Sequence, residues 1–473
     1  MLGWVVLGLA LAALALAVAS LGDVFELWHD ELYSLWASDT RVGFGESLGR
    51  ITGDSNPPLY FALLRLVRVA TQDPHTLFLT ANGLALAGAI GFVLWTSWRA
   101  NVLTLGLFGA AAFAIAGPAY YFVQEGRTFY LCLCLGFAIA WQCALIVFDP
   151  AAPRRPIWLA VLAVVAAFSH VYGGLFAGCF AAGLVVLALT GRRRDLLAPG
   201  LILGAAASVS AILWFAYASS RLGNIAFLEF SPAVVRDALW FARTLILGPT
   251  WMLLPVAALL VFALRIERAR PLLIVFGVAM ALFLILPIVA SFAVPIIMGR
   301  YWSVAGPALV VLLVFLARLF LERGDQWGKV AAGASALVLI ASAPFGYAGA
   351  RQVIAMEGAW RGAPIVARLG RDCPPGSIHA LHAMPVTGLF AIATGLPEET
   401  FVPAYEAPML QAGEAQCPVI GWAEHGWAPR EVGSDASDEA LLALLRIEAA
   451  AGEVRVERLS NGFVVLRADA PAN

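Results

Sequence analysis

Long apolar runs recur along this chain, at 2–20, 76–98, 101–117, 127–148, 156–169, 171–190, 196–218, 250–264, 271–292, 301–320 and 328–348. A helix needs about 20 apolar residues to cross bilayer hydrocarbon. Inside lipid every backbone polar group must be satisfied within the protein. The runs therefore predict an all-α polytopic membrane domain of about eleven transmembrane helices over residues 1–350. Two runs, 156–169 and 250–264, are short and need tilt or extension to span. The run 57–70 is shorter and carries Arg65 and Arg68, which predicts a helix lying at the interface.

Composition supports this class. Hydrophobic residues make up 61% of the chain and charged residues 13%, about half the charged share of a soluble domain. The formal net charge of −1 gives no reason to expect a nucleic-acid partner. Internal repeats of the kind found in inverted-repeat transporters are not evident. The segment 2–20 lacks a positive n-region and is apolar for nearly a bilayer width, which favours a retained anchor over a cleaved leader.

Charge placement then sets orientation. Arg99, Arg154 with Arg155, Arg192–Arg194, Arg265 with Arg268 and Arg270, and Arg318 with Arg323 and Lys329 fall in alternate loops. By the positive-inside rule those loops are cytoplasmic. This predicts a cytoplasmic N-terminus, a C-terminal region on the outside and a single crossing within 57–98. The first outside loop, 21–75, is acidic at its start, with Asp23, Glu26, Asp30, Glu31, Asp39, Glu46 and Asp54. The stretch 219–249 also reads as outside loop.

After about residue 350 the apolar runs stop and Pro, Gly, Glu and Asp rise. Runs near 378–384, 417–423, 453–458 and 462–467 predict strands, and 439–450 has helical periodicity. Residues 351–473 read as a small soluble α/β domain outside the membrane. Cys132, Cys134, Cys143 and Cys179 lie in apolar runs and read as small buried hydrophobes. Cys373 and Cys417 are available for a disulfide if their region is extracytoplasmic, although sequence does not place their Cα atoms. No cysteine or histidine spacing matches a zinc site.

Several polar groups fall at the predicted outer face. His29-Asp30-Glu31 puts two carboxylates among Leu27, Trp28, Leu32, Tyr33, Leu35 and Trp36. Partial desolvation there makes a carboxylate a better base, while a solvated acidic loop is the plainer alternative. Asp54-Ser55-Asn56-Pro57-Pro58-Leu59-Tyr60 makes a proline-fixed corner before a helix. Gln124-Glu125-Gly126-Arg127 joins two helices. Its arginine pairs either with Glu125 or with a lipid phosphate. Ser169-His170-Val171-Tyr172 and Gly299-Arg300-Tyr301 complete the set. A lone interfacial histidine is more often structural, and an arginine at a helix end can simply snorkel.

Taken in order, Asp30-Glu31, Asn-Pro-Pro-Leu-Tyr at 56–60, Gln-Glu-Gly-Arg-Thr-Phe-Tyr at 124–130, Ser-His-Val-Tyr at 169–172 and Arg-Tyr at 300–301 resemble the GT-C membrane glycosyltransferases. The resemblance covers roughly 1–350 and is to the dolichyl-phosphate-mannose protein mannosyltransferase and aminoarabinose-transferase type. It implies an inner-membrane enzyme that moves a sugar from a polyprenyl-phosphate donor to a lipid, glycan or protein acceptor at the periplasmic face, with inversion. It also implies Asp30 as catalytic carboxylate, with Glu31 beside it and Glu125 as the acid of the second outside loop. Arg127, Arg300 and Tyr301 would hold the donor phosphate, and Asn56, Tyr60, Gln124, His170 and Tyr172 would line the substrate pocket. Aminoarabinose transferases carry a basic residue before Pro-Pro where this chain has Asn56, so the same sugar and acceptor do not follow. No cofactor is required by this chemistry, and a divalent cation at Asp30 and Glu31 stays open. The competing class is a transporter or flippase of a lipid-linked sugar, which would place polar residues near the membrane midplane.

Overall fold

The computed structural model describes every residue except 23–26, 28, 54–55, 149–155, 192, 219–230, 294–295, 357–360, 382–386, 425–435, 460–461 and 472–473. Asp23, Glu26, Trp28, Asp54, Ser55, Arg154, Arg155 and Arg192, used in the sequence reading, lie outside the described residues. The chain divides into two compact units, Met1–Phe25 with Thr40–Ile354 and Glu26–Asp39 with Ala355–Asn473.

In chain order the helices begin with α1 (Leu2–Gly22), α2 (His29–Ala37), α3 (Phe44–Gly53) and α4 (Leu59–Val67). They continue through α5 (Pro74–Arg99), α6 (Leu103–Ala114), α7 (Gly117–Phe122), α8 (Phe129–Phe148), α9 (Pro156–Ser169), α10 (Val171–Leu189) and α11 (Leu197–Ala218). The apolar series closes with α12 (Pro232–Ile246), α13 (Leu253–Leu264), α14 (Arg270–Ser291), α15 (Gly299–Trp302), α16 (Gly306–Glu322) and α17 (Gln326–Met356).

Among the described residues, 8 helices are long and apolar enough to cross a membrane. Helices α12 and α13, bent by 72° at their junction, together make a ninth, and α6 and the described part of α9 are shorter apolar helices. The polytopic membrane domain expected from the apolar runs is therefore present, with a similar helix count. The run 57–70, expected to lie at the interface, forms α4, whose 9 residues extend only about 14 Å at 1.5 Å per residue, too short to span.

One expectation changes in this unit. The stretch read as an outside loop, 219–249, contains α12. Arg236, Asp237 and Arg243 interrupt its apolar character, so a hydropathy reading discounts it. Ser231 nonetheless caps it, accepting from the Val234 N–H, and a proline stands in its first turn.

Helix α8 is the centre of the unit, with every residue from Phe129 to Val147 buried except Leu135. It packs against α5, α9, α10 and α16. Close approach depends on small residues, as in other membrane bundles. A Cβ at Gly109 of α6 would fall on the Trp141 indole of α8, and one at Gly183 of α10 would meet the Val275 carbonyl of α14. Trp141 donates its indole N–H to Ser97 Oγ at 3.0 Å, which satisfies the one polar atom of a fully buried side chain.

The second unit holds α18 (Ala363–Leu369), α19 (Thr387–Thr394) and α20 (Asp438–Leu444), with a five-stranded sheet. Its strands are β1 (Ile378–Leu381), β2 (Phe401–Pro403), β4 (Val419–Glu424), β6 (Val454–Leu459) and β7 (Gly462–Arg467), while β3 (Leu410–Gln411) and β5 (Ile447–Glu448) pair separately. The sheet order is β2-β1-β4-β7-β6. The pairs β1–β2 and β1–β4 are parallel, and β4–β7 and β6–β7 are antiparallel. One face buries Leu381, Ile420, Ala423, Phe463 and Val465 with Leu441 and Leu445. On the other, Trp422 meets Phe390 of α19 and Phe401. The four predicted strands correspond to β1, β4, β6 and β7. The predicted helix 439–450 stops earlier, because Arg446 adopts a positive φ of 56° and the chain enters β5.

Helix α2, drawn from sequence as part of the first outside loop, groups with this unit. It packs on α19, where a Cβ at Gly388 would fall on the Trp36 indole. Cys373 and Cys417 form a disulfide with Cα atoms 5.0 Å apart.

Candidate active site

In the membrane unit the site is built where three helix junctions meet. The first is the turn between α7 and α8, which carries Gln124, Glu125, Arg127 and Thr128. Helix α7 ends at Phe122, and its last carbonyls have no onward helix to accept donors from. The Nδ2 of Asn82, from α5, donates to the Val123 and Glu125 carbonyls, at 2.9 Å each. The Tyr60 hydroxyl, from α4, donates to Asn82 Oδ1 at 3.1 Å and to the Glu125 carbonyl at 3.3 Å. Glu125 and Gln124 are fully buried.

The second junction is His170, between α9 and α10. Its Nδ1 accepts from the Tyr172 N–H at 3.1 Å and so caps α10. That acceptor role assigns the neutral ring with its proton on Nε2. Burial, followed by the charges of Arg300 and Arg127, pushes its pKa down to about 3. The Thr128 hydroxyl donates to the Ser169 carbonyl, tying the first junction to the second.

The third junction is α15, at the head of α16. Arg300 Nη1 stands 3.5 Å from Glu125 Oε1, and both groups are buried. The Arg300 guanidinium also lies 5.0 Å from the centroid of Phe129, a cation–π placement that stabilises a buried cation by about 0.5–2 kcal/mol. Tyr301 packs on Tyr172 at 4.6 Å, on His170 at 5.1 Å and on Phe129 at 5.7 Å between ring centroids. The Tyr172 hydroxyl donates to the Ile296 carbonyl at 3.0 Å, anchoring the approach to α15.

Of the groups chosen from sequence, Glu125, Arg300, Tyr301, His170 and Tyr172 form one contiguous cluster, and Arg127 lies near enough to bear on His170. Arg127 is buried, with its guanidinium 5.9 Å from the Phe61 centroid. Tyr60 stands behind the turn, and its hydroxyl goes to Asn82 and the Glu125 carbonyl. Asn56 is half-buried ahead of α4. Asp30 and Glu31 are buried in the first turn of α2, in the second unit, and His29 Nδ1 lies 3.5 Å from Asp30 Oδ1. Among the described residues no cluster of three or more His, Cys, Asp or Glu side chains is arranged to hold a metal ion.

Sequence reasoning missed two contributors. Asn82 is a carboxamide within an apolar span, a rare placement that marks function or tight local bonding. Phe129 reads as an ordinary helix residue until Arg300 is seen over its ring.

Beside the cluster the membrane unit has an apolar cavity of about 500 Å³, lined by residues that include Leu239, Phe276, Met280, Trp302, Leu309 and Leu312. That volume is typical of a small-molecule site. Trp302 belongs to the same short helix as Arg300.

A helical membrane bundle with a buried cationic cluster at its helix junctions, followed by a small α/β unit, defines the class. The whole chain superposes on ArnT from Cupriavidus metallidurans, solved bound to undecaprenyl phosphate. The TM-score is 0.57 at 14% identity, with 100% of this chain and 99% of that one covered. The apo state of the same protein matches with a TM-score of 0.57 at 15% identity and the same coverage. An Archaeoglobus fulgidus oligosaccharyltransferase, tethered to an acceptor peptide, matches with a TM-score of 0.47 at 9% identity, over 86% of this chain and 65% of that one. No family model and no curated protein sequence matches the chain. The chain has the fold of the Cupriavidus metallidurans ArnT structure.

Proposed function

We propose that this protein is an inner-membrane glycosyltransferase that moves a sugar from a polyprenyl-phosphate donor to an acceptor at the periplasmic face. The observation that carries the reading is Arg300. It is a buried cation on the same short helix as Trp302, whose side chain lines the apolar cavity. A ligand with an anionic head and a long apolar tail matches that pairing. The fold supports it, because the similar ArnT structure holds undecaprenyl phosphate.

An acceptor hydroxyl or amine attacks the anomeric carbon from the face opposite the phosphate, and its proton passes to a carboxylate base, the part that the resemblance implies for Asp30. The bond from the anomeric carbon to the phosphate oxygen breaks, and polyprenyl phosphate leaves with the bonding pair. Arg300 and Arg127 stabilise the charge that develops on that oxygen, in a site where low dielectric strengthens the attraction. His170 stays neutral and adds no charge, and Glu125 offsets part of the arginine charge so that a dianionic product can depart. The step requires no metal, and loss of transfer on chelation would place a divalent ion at Asp30 and Glu31 instead.

Orientation belongs to the same proposal. The Cys373–Cys417 disulfide is characteristic of an oxidising compartment, which supports a periplasmic second unit. The deciding experiment is transfer from defined polyprenyl-phosphate sugars by the purified protein in lipid. Transfer with inversion supports the reading. Absence of transfer with every polyprenyl-phosphate sugar, together with no binding of undecaprenyl phosphate, overturns it.

A further inference from the structure

We propose that Asn82 is a positioning residue that acts through Glu125 to set where the Arg300 charge is presented to the donor phosphate. The inference rests on the donor-phosphate reading above. Asn82 is fully buried in α5, a span with mean hydropathy high enough to cross the membrane. Its amide is fully used. Nδ2 donates to the Val123 and Glu125 carbonyls at 2.9 Å each, with a longer contact to Phe122 O at 3.5 Å, and Oδ1 accepts from Tyr60 at 3.1 Å. These carbonyls lie where α7 stops and no onward helix supplies donors. One side chain therefore fixes the backbone on both sides of Gln124 and at Glu125 itself.

A second observation comes from the same face of α5. Phe78, one helical turn before Asn82, is also fully buried. A Cβ at residue 126 would fall on the Phe78 ring, so the turn is seated against α5 only because residue 126 is glycine. Phe78 limits how deep the turn sits, and Asn82 and Tyr60 hold it there. The Glu125 carboxylate projects from this fixed backbone to its 3.5 Å approach to Arg300. Moving the turn moves the carboxylate, and the guanidinium that it restrains follows.

The test uses full-length protein in lipid nanodiscs. Asn82→Leu removes the donor and the acceptor at similar size. Tyr60→Phe removes only the hydroxyl and keeps the ring, so it covers the case in which Asn82→Leu fails to fold. Amide hydrogen exchange of residues 123–128 reads the turn directly and needs no substrate. Asn82→Leu is expected to speed exchange there at least tenfold, and Tyr60→Phe to do so by a smaller factor, with other helices unaffected. Exchange unchanged in both variants overturns the proposal.

Binding of undecaprenyl phosphate then distinguishes positioning from general support. Asn82→Leu is expected to weaken binding about tenfold in the wild-type background and less than twofold when Glu125→Gln is already present, since groups acting through one another are non-additive. An equal factor in both backgrounds overturns the proposal. Failure of the wild type to bind undecaprenyl phosphate counts against the donor reading itself, and the exchange measurement still decides whether Asn82 holds the turn.

Discussion

Arg300 Nη1 lies 3.5 Å from Glu125 Oε1, joining helix junctions that are 175 residues apart in the chain. Neither group is at the surface, with side-chain exposures of 8% and 0%. Two buried opposite charges make a weak net contribution to stability, because desolvation offsets their attraction, but removing one leaves the other uncompensated at a cost of about 3–5 kcal/mol. The pair keeps a cation ready in the membrane unit at a cost the fold can bear. Replacing Arg300 should therefore affect two measurements. Arg300→Ala should weaken undecaprenyl phosphate binding by about tenfold or more, the scale of one charge-assisted hydrogen bond, and should lower thermal stability. Adding Glu125→Gln should restore much of the stability and none of the affinity. Unaltered affinity in Arg300→Ala would remove this residue from phosphate binding.

Asp30 makes a sharper test, because its assigned role is chemical. Asp30→Asn keeps the size and one acceptor oxygen of a side chain that is 3% exposed at the start of α2. Transfer should fall by at least about 100-fold, in the range typical of lost general-base catalysis, while undecaprenyl phosphate binding stays within twofold of wild type. A folded variant with wild-type transfer would exclude Asp30 as the base.

The apolar cavity can be tested without touching any charged group. Gly277 lines it, and a Cβ there would meet nothing within 4 Å. Gly277→Leu should fold normally, since it fills space instead of overpacking a core and replaces glycine within a helix. If the cavity holds donor tail, this variant should bind a long polyprenyl phosphate several-fold more weakly and a short-chain analogue as the wild type does. Equal effects on both lengths would show that the tail lies elsewhere.

The parts legible from sequence were those governed by one-dimensional patterns. Apolar run length gave the bundle, and short runs within the more polar region after about residue 350 gave β1, β4, β6 and β7. The amphipathic helix α12 was obscured because Arg236, Asp237 and Arg243 lower its hydropathy, although Ser231 and Pro232 mark its start. The members of the candidate site were partly legible, since Glu125, His170 and Arg300 are polar groups at the ends of apolar runs. Their convergence was not, because it depends on the packing of α8 against α10 and α16. Asn82 was passed over for the opposite reason: it sits inside a run read only for its length. The grouping of α2 with α19 depends on Trp36 lying against Gly388, a tertiary contact without local periodicity.

The second unit has its own titratable element. Glu424 ends β4, is 1% exposed, and accepts the Trp422 indole N–H at 2.6 Å. The Gly362 backbone N–H also donates to it, but burial outweighs both bonds and pushes its pKa up to about 8. A carboxyl whose folded pKa lies above its unfolded value of about 4.3 holds its proton more tightly in the folded state. Its contribution to stability is complete below that unfolded value and is lost as pH rises toward 8. The unit should thus lose stability between roughly pH 4.5 and pH 8 through this one group. Glu424→Gln, which keeps the acceptor oxygen and cannot ionise, should flatten the trend. At pH 8 the variant should unfold at a temperature several degrees above wild type, since about 1 kcal/mol moves the midpoint of a domain of roughly 100 residues by about 4–8 °C. At pH 5 the two should unfold alike. Parallel pH profiles for the two proteins, measured by thermal unfolding followed at the strands by hydrogen exchange, would show that Glu424 is ionised in the native unit throughout.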